Sequence, residues 1–169
     1  MRYFHPAFYT IIIFSLMATA THAASTTILP CKATNVTLYR DDQDGLYDGM
    51  SQSGTSLVLL NSGPTACALP AMPLLTFSHS GQKNSAAQRG VSGMHPGPVL
   101  LPRSLGVGQR ARIVLRWFAN DVFEAKNCIH PAFVSLSLAA STLRQPFNRT
   151  MCAPAGQTGY FTQYPADIQ

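Results

Sequence analysis

Three arginines near one apolar segment have the spacing that most clearly suggests chemistry. Residues 111–118 (ARIVLRWF) alternate as a strand would, and burying Ala111 and its apolar partners puts Arg110, Arg112 and Arg116 on the outer face. This arginine row could bind phosphate or carboxylate groups through paired hydrogen bonds. Charges on an edge strand also prevent unwanted pairing with other molecules. Because edge protection needs no partner, it is the preferred interpretation, and anion binding is the alternative.

An acidic run could supply oxygen ligands to calcium. It contains four of the seven acidic residues: Asp41, Asp42, Asp44 and Asp48. The well-known calcium-binding loop needs Asp at its first, third and fifth positions, and here Arg40 occupies the first. A solvent-exposed turn is therefore preferred, and calcium binding is kept as an alternative.

Sulfur and imidazole groups could form a copper site, since these ligands suit copper in an oxidising compartment. The candidates are Met72, His79, Met94 and His95. They are few and unclustered, and a methionine such as Met72 also fills gaps in a core. We predict neither a metal ion nor any other cofactor.

Nucleophilic catalysis lacks its usual sequence context. Ser92, in residues 90–93 (GVSG), does not have the glycine spacing of a G-x-S-x-G elbow. His79, His95 and His130 are candidate bases, but no nucleophile, base and orienting acid form a recognised pattern. We predict that the protein is not an enzyme, and an envelope hydrolase is the least favoured alternative.

The amino terminus predicts export. Arg2 is followed by the apolar residues 7–20 and then by small residues, which is the pattern of a secretory signal peptide. The apolar run is shorter than the roughly 20 residues of a membrane-spanning helix. We predict a signal peptide at residues 1–23, cleaved after Ala20 or Ala23, and no membrane span after cleavage. An uncleaved anchor is the alternative. Residues 24–169 are then a single periplasmic or secreted domain.

Composition limits the function classes. The chain has 169 residues, of which 46% are hydrophobic and 11% charged, so it can build a core and is not disordered. This composition does not favour nucleic acid as a partner. The net charge is +5, and only Asp121, Glu124 and Asp167 are acidic after Gly49. A basic body favours anionic neighbours such as envelope polymers or lipid head groups, so an anionic envelope component is the candidate partner. A charge that only aids solubility is at least as good an interpretation, and the composition alone names no partner.

Short apolar or alternating runs separated by turn residues predict an all-β fold. The predicted strands are residues 36–39, 56–61, 74–77, 99–101, 111–118, 133–138 and 159–164. We predict a long mobile loop at residues 82–98 and a short helical turn at residues 120–126. Residues 139–149 are predicted to be a connecting segment without a strand. Seven or eight short strands without a clear helix predict an antiparallel β-sandwich.

Cysteines and turn residues follow a recognisable order along the chain. The residues are Cys31; Asn61, Gly63, Cys67, Leu69 and Pro73; Leu105, Gly108 and Ala111; and Trp117, Cys128 and Cys152. This order resembles a bacterial family of exported proteins and lipoproteins that carry a domain of unknown function. The resemblance implies an immunoglobulin-like sandwich in which neighbouring cysteines are paired. It implies no catalytic or ligand-binding residue.

The four cysteines predict two disulfides, because an even number in an exported chain is typical of a disulfide framework. No C-x-x-C pair suggests zinc binding or redox catalysis. A sandwich can bring Cys31 and Cys67 together at one end, and Cys128 and Cys152 flank a single strand and its return. We therefore predict the pairs Cys31–Cys67 and Cys128–Cys152. For the domain as a whole, we predict that it binds a partner or has a structural role in the envelope.

Overall fold

The described part of the molecule is almost entirely β-structure. The computed structural model describes residues 1, 27–79, 82–84, 87–89, 99–120, 122–123, 127–156 and 159–169. Within these ranges a single short 3₁₀ turn, Gln43–Gly45, interrupts the strands. No helix in the same ranges is long and apolar enough to cross a membrane. Apart from Met1, the predicted signal peptide lies outside the described residues.

Fourteen strands are present in the described residues, and seven of them have four or more residues. The longer strands are β1 (Val36–Asp41), β2 (Gln52–Asn61), β4 (Leu75–His79), β8 (Arg110–Phe118), β10 (Phe133–Leu138), β11 (Ser141–Pro146) and β13 (Tyr160–Gln163). The shorter ones are β3 (Cys67–Leu69), β5 (Gln82–Asn84), β6 (Ala87–Arg89), β7 (Arg103–Leu105), β9 (Cys128–Ile129), β12 (Met151–Cys152) and β14 (Asp167–Ile168). The all-β prediction is confirmed.

Two larger sheets and one small one make up the fold. The large sheet has the order β1-β2-β8-β12-β9, and β13 and β14 also pair with β8. The opposing sheet has the order β11-β10-β4-β5, and β3 pairs with β7 in a separate two-stranded sheet. Pairing between these strands is antiparallel except where β6 runs parallel to β13. The arrangement is a sandwich, as predicted, and its immunoglobulin-like character stays a prediction.

The core lies between the large and the opposing sheet. Alternate residues of β8 point into it, and Ile113, Leu115 and Trp117 are all buried. An aromatic cluster joins the two layers: the ring of Phe77 on β4 lies 4.9 Å from the ring of Phe161 on β13. Edge-to-face packing of this kind adds about 0.5–1.5 kcal/mol beyond the burial of apolar area.

Two predicted disulfides are formed. Cys31 bonds to Cys67 with a Cα–Cα distance of 4.8 Å, and Cys128 bonds to Cys152 across the adjacent strands β9 and β12. The buried amide of Asn61 shapes the turn before Cys67, since its Nδ2 donates to the carbonyl oxygens of Thr65 and Leu105, each at 2.9 Å. Disulfides persist in oxidising compartments, so the formed bonds are consistent with a location outside the cytoplasm.

Three predictions about the connecting segments are wrong. Residues 82–98 contain β5 and β6, residues 139–149 contain β11, and residues 99–101 are not a strand, because β7 begins after Pro102. β5 and β6 each complete the hydrogen bonding of a longer neighbour, β4 or β13, which does not require an apolar sequence. Residues 90–98 lie outside the described part, as does most of the predicted helical turn.

Side chains close the corner where β1 of the large sheet meets β11 of the opposing sheet. Gln145 on β11 donates from Nε2 to the carbonyl oxygen of Leu38 on β1 at 2.5 Å. The hydroxyl of Ser141 accepts from the backbone N–H of Ala33 at 2.9 Å. These bonds satisfy backbone groups that an open sheet edge would leave unpaired.

Candidate functional site on the outer face of the large sheet

The arginine row lies on the solvent side of β8, as predicted. Arg110 is exposed, and Arg112 and Arg116 are half-buried, whereas the intervening residues Ala111 and Ile113 are fully buried. We call this solvent side of the large sheet the outer face. The two-residue period of the strand therefore determines which side chains reach it.

The interpretation of β8 as an edge strand is wrong. On one side it pairs with β2 from Leu60↔Arg110 to Gln52↔Phe118. On its other side it pairs in turn with β14, β13 and β12. Since β8 is hydrogen-bonded on both sides, its arginines do not protect a free edge, and that explanation of the arginine row is removed.

Arg112 is anchored by neighbouring polar groups. Its Nη1 lies 3.4 Å from both Oδ2 of Asp41 and Oγ of Ser56. Its Nε donates to Oε1 of Gln169 at 3.4 Å, and Asp167 is its partner in the register of β14. The charge of Arg112 is therefore balanced by the carboxylate of Asp41.

Arg116 has no such balance. Its Nη2 donates to Oε1 of Gln52 at 3.3 Å, and its guanidinium carbon lies 5.8 Å from the centre of the Tyr47 ring. Among the described residues it forms no ion pair, and its buried Nε has no hydrogen-bond partner. A buried donor left unpaired costs about 1–3 kcal/mol. Arg116 therefore has a positive charge without an ion pair and an N–H group without a hydrogen-bond acceptor in the described residues.

Gly54 makes room for the Arg116 side chain. A Cβ at this position would lie 2.6 Å from the Leu115 carbonyl oxygen, 2.6 Å from Tyr47 Cβ and 2.7 Å from Arg116 Cδ. Ser53 and Gly54 both belong to β2, although a Ser-Gly pair is typical of turns. The glycine thus allows Tyr47 and the arginine stem to lie close against the sheet.

Tyr47 connects the two half-buried arginines. Its hydroxyl lies 3.0 Å from Oγ of Ser56, which in turn contacts Arg112. The same hydroxyl donates to Oε1 of Gln43 in the 3₁₀ turn at 3.0 Å. The acidic run therefore folds over the outer face and holds the arginine row in position.

Asp42, in the same run, binds three side chains. Its carboxylate lies 3.2 Å from Nε of Arg40 and 2.5 Å from Nη2 of Arg149, and it accepts a hydrogen bond from Thr55 Oγ1 at 2.6 Å. Partial burial alone would raise the pKa of Asp42. The hydrogen bonds from Thr55 and Arg149, with the charges of Arg40 and Arg149, outweigh it and lower the pKa below its ordinary value.

Two adjoining grooves cross the outer face. The first has a volume of about 330 Å³ and the second about 280 Å³. Both are lined by Arg116 and Tyr164, so these residues form the wall between them. The first groove is also lined by Gln52, Phe118, Tyr160 and Thr162, and the second by Arg112, Val114, Pro165 and Asp167. Volumes near 300 Å³ lie at the lower end of the range for small-ligand sites.

Comparisons with known protein families, curated proteins and solved structures found no match to this chain. The grooves and the arginine row are therefore interpreted from their own geometry.

The acidic run does not form a carboxylate cluster. Asp41 accepts a hydrogen bond from the backbone N–H of Gln43 as well as contacting Arg112, and Asp48 accepts from Ser53 Oγ. In the described ranges no three His, Cys, Asp or Glu side chains lie close enough to hold a metal ion. Met94 and His95, of the copper alternative, lie outside the described residues.

Of the candidate catalytic groups, His79 and His130 lie in the described residues, whereas His95 does not. His79 is exposed at the end of β4, and Nδ1 of His130 lies 3.0 Å from Thr150 Oγ1. Ser92 lies outside the described residues.

Sequence reasoning missed the aromatic and hydroxyl residues of the grooves. Phe118 has the same strand parity as Arg116, so the alternation of β8 places Phe118 on the outer face. Tyr47, Tyr160 and Tyr164 reach the outer face from distant segments, and no local pattern links them to β8.

Proposed function

We propose that this protein is an exported, non-enzymatic binding domain of the periplasm or the secreted fraction. Its ligand is an anionic component of the cell envelope, which the arginine row and the adjoining grooves hold. The single observation that carries the proposal is Arg116, which has no carboxylate partner within the described residues yet lies in the wall between two grooves. A predicted signal peptide, two disulfides and a net charge of +5 support it.

Electrostatics also favour this use of Arg116. A half-buried guanidinium interacts with an anion more strongly than a fully hydrated one does, because the surrounding protein is less polarisable than water. Arg110 lies exposed on the same face and adds a second cation. Since β8 is paired on both sides, the spacing between the backbone positions of these two arginines is fixed before the ligand arrives.

The test removes Arg110 and Arg116 together, the two arginines of the row that form no ion pair with another described residue. Protein purified after export and its Arg110→Gln/Arg116→Gln variant are titrated with polyphosphate, polyglutamate and hyaluronan at low salt. We expect at least tenfold weaker binding of the anionic polymer by the variant, and a smaller slope of log K against log salt concentration.

A matched control removes the same number of charges elsewhere. Lys32→Gln/Arg103→Gln changes two exposed side chains outside the outer face, and we expect it to bind as the parent does. If none of the three polymers binds, or if both variants lose affinity equally, the proposal is overturned.

A further inference from the structure

We infer that the two grooves bind consecutive units of an acidic glycan, with the carboxylate of one sugar at Arg116. This inference rests on the proposed function and specifies the chemical class of its ligand. It follows from what lines each groove and from the wall that the grooves share.

The first groove combines three kinds of surface that a sugar acid needs. The exposed ring of Tyr164 supplies aromatic surface, against which the C–H face of a sugar ring can pack. Gln52 and Thr162 supply an amide and a hydroxyl that can exchange hydrogen bonds with sugar hydroxyls. Arg116 supplies the cation for a carboxylate. A site for inorganic phosphate alone would not need the aromatic surface.

The second groove has a different charge. Arg112 is balanced by Asp41 and lies opposite Asp167, which also lines this groove. A carboxylate such as Asp167 accepts hydrogen bonds from hydroxyl groups and repels a second acid. The neighbouring unit is therefore a neutral, hydroxyl-bearing sugar.

Tyr164 makes one continuous surface of the two grooves. It lines both of them and is 49% exposed, so it is available to the ligand. A polymer that crosses this wall places adjacent units on either side of the same ring. The geometry therefore fits a chain in which acidic and neutral sugars alternate.

Hyaluronan, in which acidic and neutral sugars alternate, is the probe. Polyglutamate carries carboxylates without sugar rings, and dextran carries sugar rings without charge. Polyglutamate has the higher charge density, so charge alone would make it bind more tightly. We expect the opposite order: hyaluronan binds at least tenfold more tightly than polyglutamate, and dextran at least tenfold more weakly than hyaluronan.

Variants at Tyr164 test the shared wall. Tyr164→Ala is expected to weaken hyaluronan binding at least tenfold and to leave polyglutamate binding unchanged, whereas Tyr164→Phe keeps the ring and binds within about threefold of the parent. Tyr39→Ala is the control, since Tyr39 is exposed on β1 and does not line either groove. Thermal unfolding of each variant confirms that it is folded.

The outcomes separate the two proposals. If polyglutamate binds as tightly as hyaluronan, and binding still depends on Arg110 and Arg116, anion binding stands and the glycan assignment is overturned. Hyaluronan binding that Tyr164→Ala leaves unchanged also overturns the glycan assignment. If polyphosphate alone binds, only the glycan assignment is overturned. If hyaluronan, polyglutamate and polyphosphate all fail to bind, both proposals fall.

Discussion

A single carboxylate, that of Asp42, ties together three parts of the chain. Arg40 lies on β1, Thr55 on β2 and Arg149 in the segment after β11, and all three contact it. Its side chain is 30% exposed, so solvent screens these ion pairs and each contributes modestly. Together they make Asp42 the described residue whose ionisation is most clearly linked to stability.

The first stability prediction concerns this residue. Folding lowers the pKa of Asp42, so its contribution to stability is present above the ordinary value of 3.8 and is lost as the pH falls through the folded-state pKa. Asp42→Asn is expected to reduce the free energy of unfolding by about 1 kcal/mol at neutral pH. The loss is expected to be smaller near pH 3 than at neutral pH, because below 3.8 the unfolded carboxyl is protonated and part of the stability linked to ionisation is lost.

Urea unfolding at both pH values measures the effect. The control is Asp44→Asn, an exposed position with positive φ that asparagine tolerates well. A loss that is equally large at both pH values would contradict the role of ionisation.

Individual strands show how far the sequence predicts the fold. The period of two in residues 133–138 and 111–118 identifies β10, β8 and the buried face of each. It does not identify the neighbours of a strand, because a half-buried strand alternates whether it lies at an edge or in the centre. The alternation of β8 is therefore compatible with edge protection by the arginine row, which only the strand pairing rules out.

The alternation of apolar and polar residues does not identify strands that contain few apolar residues. β11 (STLRQP) contains a single large apolar residue, Leu143, and it is held by its hairpin with β10 and by Gln145 at the corner with β1. Likewise, the grooves depend on residues from β8, β13 and the acidic run. Their meeting is a property of the tertiary structure, so the sequence predicted only the arginine side of the site.

At the level of elements, the disulfide between Cys31 and Cys67 attaches the lead-in segment to β3. It closes a loop of 36 residues, so its removal by Cys31→Ser/Cys67→Ser is expected to cost about 4 kcal/mol on the chain-entropy estimate. Denaturant unfolding under non-reducing conditions measures this loss. A change below about 1 kcal/mol would show that the bond adds little constraint.

Across the whole molecule, Phe77 is the side chain that most directly connects the two layers. It is 1% exposed, and its ring lies 5.0 Å from that of Phe147 and 4.9 Å from that of Phe161. Phe77→Ala is expected to destabilise the protein by about 4 kcal/mol, since it leaves a cavity and removes two ring contacts. Phe77→Leu keeps most of the volume and is expected to cost less.

Phe133→Ala is the comparison within the same sheet. Phe133 is only half-buried, and the guanidinium of Arg144 lies 3.6 Å from its ring centre. We expect a loss of about 1 kcal/mol. Equal losses at Phe77 and Phe133, measured by thermal or urea unfolding, would contradict the central position of Phe77.

The pairing of β2 with β8 also affects the rate and the order of folding. It joins residues as far apart in the chain as Gln52 and Phe118, whereas the disulfides close loops of 36 and 24 residues. Closing a long loop costs entropy before its hydrogen bonds form, so sheets of this kind fold in roughly milliseconds to seconds. We therefore expect each cysteine pair to come within reach before the central strand finds its register, so the face that carries the arginine row forms after the two disulfide-closed loops.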